Sequence, residues 1–222
     1  MNSNSLIEDL IVNNKPGAVL SRKERDKQLR KADIMRAAER VFALKGYHNA
    51  AMQDIAREAQ YATGTVYLYF KDKEALYFSL LEEKIKGLTF VLKENTAHIT
   101  DAEDKLRIFV YESLSYFQKN QDFFKIFFSE RTKGQLVKDA KFSKSPVMAQ
   151  NKEFVLKIIR AGQEQKIIRN DFEAAQISDI LGSIFMSVIF ELFKGAPNDE
   201  KKIKDMSGFI LDIFLNGAGK KR

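Results

Sequence analysis

Apolar residues recur three and four positions apart along almost the whole chain, the spacing of a buried helical face. Ile34, Ala37, Ala38, Val41 and Phe42 predict a helix over about 21–45, with Gly46 as its left-handed stop. Met52, Ile55, Ala56 and Ala59 predict a short second helix; residues 60–62 break the period and 63–70 start a third. A longer helix opens near Asp72, its expected N-cap, and Leu76, Leu80, Leu81, Ile85, Leu88 and Leu92 carry it to about Lys93. Gly87 lies inside that helix, where glycine costs about 1 kcal/mol relative to alanine. Either close helix packing or a compliant point would account for it.

The second half reads as helix after helix. Residues 101–119 carry Leu106, Phe109, Val110, Leu114 and Phe117, and 123–132 form a dense aromatic stretch stopped at Gly134. Residues 146–166 carry Val147, Phe154, Val155, Ile158 and Ile159. Asp171 is the expected cap of an apolar helix over 174–193 that stops at Gly195, before Pro197. Asn198 is the expected cap of a last helix with Ile203, Met206, Phe209, Ile210, Ile213 and Phe214. The fold class expected is therefore all-α. The 174–193 stretch approaches the length of a membrane span, but Asp179, Glu191 and three serines break it into a wide amphipathic stripe, so no membrane partner is expected.

Composition narrows this picture. A chain of 222 residues, 45% hydrophobic and 30% charged, has the make-up of a globular protein with room for two modest cores. Only 3 prolines and 11 glycines agree with helices throughout. The formal net charge of +7 suits an anionic partner, and its placement matters more than its size. Lys15, Arg22, Lys23, Arg25, Lys27, Arg30 and Lys31 face only Glu24 and Asp26 over 15–31, which predicts a phosphate-tracking arm ahead of the short helices. Absence of cysteine fits a reducing compartment, and residues 1–14 lack the features of a secretory leader, so a cytoplasmic location is expected.

Two short helices joined by a tight turn are the helix-turn-helix unit, whose second helix enters the DNA major groove. Here the second is crowded with hydroxyls, from Thr63, Thr65, Tyr67 and Tyr69, and is too short to stand alone in water. Ala37-Ala38, Phe42, Gly46-Tyr47, Asp54-Ile55-Ala56 and Ala59, followed in register by Thr63-x-Thr65-x-Tyr67-x-Tyr69-Phe70-Lys71-x-Lys73-x-x-Leu76, resemble the DNA-binding domain of the tetracycline-repressor (TetR) family. The resemblance covers about residues 28–88; beyond it only helical character is shared.

That resemblance implies an organisation. Residues 1–20 would be a flexible extension, 21–71 a three-helix DNA-binding domain, 72–93 a connecting helix and 94–219 a helical-bundle domain for ligand binding and dimerisation. Gln53, Thr63, Gly64, Thr65, Tyr67, Tyr69, Lys71 and Lys73 would contact DNA, with Lys71 and Lys73 as phosphate donors. Tyr67 and Tyr69 project from different sides, so one would meet the groove and the other brace the domain. The protein would bind a near-palindromic duplex operator as a homodimer and act as a ligand-responsive regulator, by family habit a repressor. Three departures bear on this: Ala51 stands at an N-cap, Gln60 replaces a turn glycine, and Ala62 replaces a capping serine. Asn49 or Asp54 would compensate at the first, and Thr63 at the third.

For the body, Phe109, Phe117, Phe124, Phe127, Phe128, Phe154 and Phe185 are expected both to fill the core and to line an apolar effector pocket. Similarity of the central motif to regulators of fatty-acid degradation tips the choice of effector toward fatty acyl-coenzyme A, with Arg107, Lys119, Lys125 and Arg131 for its phosphates. Glu112, Glu130, Asp179 and Glu191 leave cationic compounds open. Ile177, Ile180, Gly182, Ser183, Ser187, Met206, Ile210 and Ile213 are expected at a two-fold interface built from the last two helices.

Other classes fare worse. His48 and His98 lie far apart, and no nucleophile–base pair, metal-ligand cluster or nucleotide-binding glycine run occurs, so neither catalysis nor a cofactor is expected. A chromosome-organising DNA-binding protein without effector control stays open, and a helical enzyme or small-molecule-binding protein is the weakest alternative.

Overall fold

The computed structural model describes residues 21–132, 145–194 and 199–217, all helix or short connection, with no strand among them. The expected features at Lys15, Gly134, Gly195, Pro197 and Asn198 lie outside the described residues. In chain order the helices are α1 (Arg22–Asn49), α2 (Met52–Glu58), α3 (Thr63–Tyr69), α4 (Lys73–Thr96), α5 (Ala102–Lys119), α6 (Gln121–Thr132), α7 (Pro146–Glu164), α8 (Ala174–Leu192) and α9 (Glu200–Asn216). The chain divides into two compact units between Tyr77 and Phe78, inside α4.

In the first unit, α1 packs on α2 and α2 on α3. Ser21 caps α1: its hydroxyl accepts from the Glu24 N–H, and the Glu24 carboxylate accepts from the Ser21 N–H. The helix is interrupted at Gly46, whose φ of 72° is the positive value expected there. Ile34, Ala37, Ala38, Val41 and Phe42 are buried with Ile55, Ala56, Val66, Phe70 and Leu76, and the Tyr77 ring meets those of Phe42 and Tyr47 edge-on at 5.3 and 5.2 Å. Each large apolar side chain so buried contributes about 1.5–3 kcal/mol, and this collective burial holds helices as short as α2 and α3.

The second unit is a helical bundle. α5 packs on α7, α8 and α9, while α8 also packs on α7 and α9. Gly87 of α4 is a packing glycine: a Cβ there would lie 2.5 Å from the Tyr116 hydroxyl. Thr89, two residues on, is buried and accepts from the Asn151 amide at 3.3 Å. Phe117 stacks at 4.4 Å on Phe124, and Phe128 touches Phe124, Phe127, Phe190 and Phe193, so the aromatic richness builds a ring-on-ring core. Glu173, not Asp171, is the N-cap of α8; the Asp171 carboxylate is held by Arg169 at 2.7 Å instead. α8 is long and apolar enough to cross a bilayer by composition, yet Ile177, Leu181, Phe185, Val188, Ile189 and Leu192 are buried in the bundle.

Candidate nucleic-acid interface

The turn between α2 and α3 shows how the three departures are accommodated. Ala51 gives α2 no side-chain cap; the Asp54 N–H turns to the Ala51 carbonyl at 3.0 Å, and the Asp54 carboxylate reaches back to the Ala51 N–H at 3.2 Å, the remaining half of a capping box. Asn49 does not help, since its amide donates to the Lys45 carbonyl. Asp54 also receives the Lys45 ammonium at 2.8 Å. That contact, followed by the Ala51 N–H, holds its carboxyl below the ordinary aspartate range.

Gln60 sits at φ 59°, where a glycine would be unstrained. The Gln60 N–H donates to the Arg57 carbonyl at 3.2 Å and the Tyr61 N–H to the Ala56 carbonyl at 2.9 Å, closing α2 with a Schellman motif. The Tyr61 hydroxyl then donates to Asp33 on α1 at 3.1 Å, anchoring the turn. Ala62 leaves α3 without a side-chain cap, and Thr63 lies inside the helix rather than before it.

Successive residues turn about 100° around a helix, so the burial of Val66 orients the whole of α3. Gly64 and Leu68 occupy the opposite, outward pole, flanked by Thr65 and Tyr67. Tyr67 is 46% exposed, and a Cβ at Gly64 would meet nothing within 4 Å. Thr63 and Tyr69 lie nearer the core and are half-buried. Tyr67 thus points outward and Tyr69 lies against the domain. Gln53 on α2 is exposed. Leu68, which was not among the residues expected at DNA, is 83% exposed at the centre of this surface.

The two lysines part company. Lys71 is exposed, 3.5 Å from Asp72. The Lys73 ammonium donates to the carbonyls of Tyr47, His48 and Ala50 at 2.6, 3.1 and 2.9 Å. Three carbonyls thus surround an ammonium that has three protons, and in this structure Lys73 braces α1 against α4, a role that the expectation of a phosphate donor did not include.

In the body, expectation and geometry agree less well. Ile177 is 7% and Ile210 0% exposed, so both are packed into the protomer's own core, although two-fold contacts were expected of them. Gly182, Ser183, Ser187 and Ile180 do face outward on α8, while Met206 and Ile213 are half-buried. Phe117, Phe124, Phe127, Phe128 and Phe185 are buried, Phe109 and Phe154 half-buried. Phe128 also borders a groove of about 810 Å³ with Ser178, Asp179, Gly182, Ser183, Met186 and Phe190. A second, more apolar recess of about 390 Å³ lies between the 167–172 loop, α8 and the end of α9, where the Arg169 guanidinium stacks 4.6 Å from the Phe172 ring. Arg107 is paired with Glu103. No group of three or more metal-ligating side chains occurs among the described residues.

Residues 34–80 match the sequence profile of bacterial regulatory proteins of the tetR family. Over 82 residues the chain is 37% identical to the fatty acid metabolism regulator protein of Bacillus subtilis (strain 168), covering 37% of this chain and 42% of that protein. Over 99 residues it is 29% identical to the HTH-type transcriptional activator FasR of Mycolicibacterium smegmatis, covering 45% of each. The match thus spans about half the length of such curated relatives. In fold the chain resembles the transcriptional regulator FadR of Bacillus subtilis, solved in complex with stearoyl-CoA, with a TM-score of 0.69, 22% identity, and coverage of 85% of this chain and 99% of that one. It also resembles the fatty acid degradation regulator FadR of Bacillus halodurans, with a TM-score of 0.74, 23% identity, and coverage of 86% and 97%.

Proposed function

We propose that the chain is a DNA-binding transcription regulator whose residues 34–80 form a tetR-family head, a ligand-responsive repressor that grips a near-palindromic operator as a homodimer in the cytoplasm and is released by a fatty acyl-coenzyme A. The observation that carries the reading is the outward pole of α3. There a helix buries Val66 and turns Gly64, Tyr67 and Leu68 to solvent, with Thr65 half-buried at their flank and Gln53 and Lys71 exposed nearby. Bare backbone at Gly64 suits close approach to a groove, while hydroxyls suit phosphates and base edges.

The effector half of the reading draws support from the aromatic core of the bundle and from the likeness to a regulator solved with stearoyl-CoA. An acyl chain would lie among Phe109, Phe117, Phe124, Phe127, Phe128, Phe154 and Phe185, prising apart ring contacts that close in its absence. The partner protomer would cover the outward residues of α8. Release follows from linkage: an effector that prefers the arrangement with poorly spaced heads weakens DNA binding by its differential affinity, on the scale of about 1–3 kcal/mol.

Selection of bound duplexes from a random pool, repeated at several salt concentrations, tests the DNA half. A near-palindrome with affinity falling steeply in salt is expected, and a pool without consensus refutes it. Titrating stearoyl-CoA into the selected complex tests the other half. Roughly 5- to 150-fold weakening is expected; indifference to acyl-CoA of every chain length would favour a chromosome-organising protein.

A further inference from the structure

An isolated leucine on a protein surface is ordinary, and Leu44 of α1, 84% exposed, is such a case. Leu68 differs in its position. It stands with Gly64 at the pole of α3 opposite the buried Val66, where Gly64 has no side chain to hold a partner surface away. Its flanks, Thr65 and Tyr67, are hydroxyl-bearing. A seven-residue helix thus spends the centre of its outward face on a side chain that can neither donate nor accept a hydrogen bond.

We propose that Leu68 is a specificity-determining residue that reads a thymine in each half-site through the thymine 5-methyl group. This rests on α3 being the recognition helix and goes beyond it in assigning the base. The major-groove edges of unmodified DNA carry donors, acceptors and a single kind of apolar group, that methyl. Phosphates and the other base edges offer leucine nothing but a lost water contact. With Gly64 one turn earlier, the helix backbone can come close enough for the short leucine side chain to reach the floor of the groove. Thr65 and Tyr67 on either side would fix the register by hydrogen bonding, leaving Leu68 to discriminate.

The experiment uses the full-length protein and the operator recovered by selection. Each thymine is replaced singly by uracil, which removes the methyl and leaves base pairing and the O4 acceptor intact. For the natural protein, one thymine per half-site should lose about fourfold in affinity, the worth of burying one methyl group. Leu68→Ala should bind the natural operator about fourfold more weakly per half-site and be indifferent to uracil at that position, while keeping its sensitivity elsewhere. Because Leu68 is exposed, the variant should fold normally, which circular dichroism checks. Leu44→Ala should match the natural protein throughout. A Leu68→Ala profile identical to that of the natural protein, or a natural protein insensitive to uracil at every thymine, overturns the assignment while leaving the regulator reading in place. Failure to select any consensus sinks the regulator reading itself.

Discussion

The Lys73 ammonium lies 2.6 Å from the Tyr47 carbonyl oxygen and 4.6 Å from the centroid of the same residue's ring. One side chain of α4 therefore closes the end of α1 twice over, as hydrogen-bond donor and as cation on an aromatic face. The carbonyls of His48 and Ala50 also accept from it. These acceptors belong to the segment after the Gly46 interruption, where the chain leaves α1 and its carbonyls have no helical partner.

Lys73→Ala should accordingly destabilise the head by about 2 kcal/mol, since hydrogen bonds to charged groups contribute about 1.5–3 kcal/mol when well made and these are only half-buried. Lys73→Met, which keeps the stem against the Tyr47 ring, should recover part of the loss. Urea unfolding followed by circular dichroism measures both.

Gln60→Gly and Lys166→Gly should each stabilise by about 0.5–1 kcal/mol, the left-handed penalty of a side chain less the greater freedom glycine gains in the unfolded chain. Both residues have φ 59°. Both also close a helix in the same way, Lys166 donating to the Gln163 carbonyl and Ile167 to that of Gly162. Unchanged or lower melting temperatures would show that the strain is relieved elsewhere.

How much of this could be read from the chain depended on whether a feature leaves a mark on residue identity. Gly46 and Asp72 were readable because caps and stops select particular side chains, and Asp72 does accept from the Ala75 N–H at 2.7 Å. Lys73 was not, because its partners are backbone carbonyls, which any sequence supplies. Ile177 was placed on the wrong side because α8 is apolar on more than one face, with Ile180 58% exposed and Leu181 buried beside it, and on α9 the buried Ile210 neighbours the 58% exposed Phe209 in the same way. Periodicity finds such a stripe without telling which edge turns inward. The outward pole of α3 became clear only once Val66 was known to be the buried reference.

Acid should loosen the turn between α1 and α2. The Asp54 carboxyl is held below its ordinary range by the Lys45 ammonium and then by the Ala51 N–H, so it is more acidic folded than unfolded. The stability it contributes is therefore present above the ordinary carboxylate range and falls away as pH drops through the folded-state value. Asp54→Asn should be less stable than the natural protein at neutral pH and show a flatter decline between about pH 5 and pH 3, the region of carboxylate titration. Melting temperatures across that interval decide it; parallel curves would locate the acid sensitivity in other carboxylates.

Lys71 and Lys73, two residues apart, should separate in their response to salt. Each phosphate neutralised by a protein releases counterions and adds close to one to the slope of log affinity against log salt. Lys71 is exposed at the edge of α3, while the protons of Lys73 are taken by carbonyls. Lys71→Ala should therefore flatten the slope by about 2, close to one for each protomer of the dimer, and weaken all sequences alike, leaving the selected consensus unchanged. Lys73→Ala, assayed where the head remains folded, should keep the full slope while losing stability. If Lys73→Ala instead flattens the slope by about 2, close to one for each protomer, its ammonium must leave a carbonyl for a phosphate on binding. The brace between α1 and α4 would then be a contact exchanged with DNA rather than a fixed one.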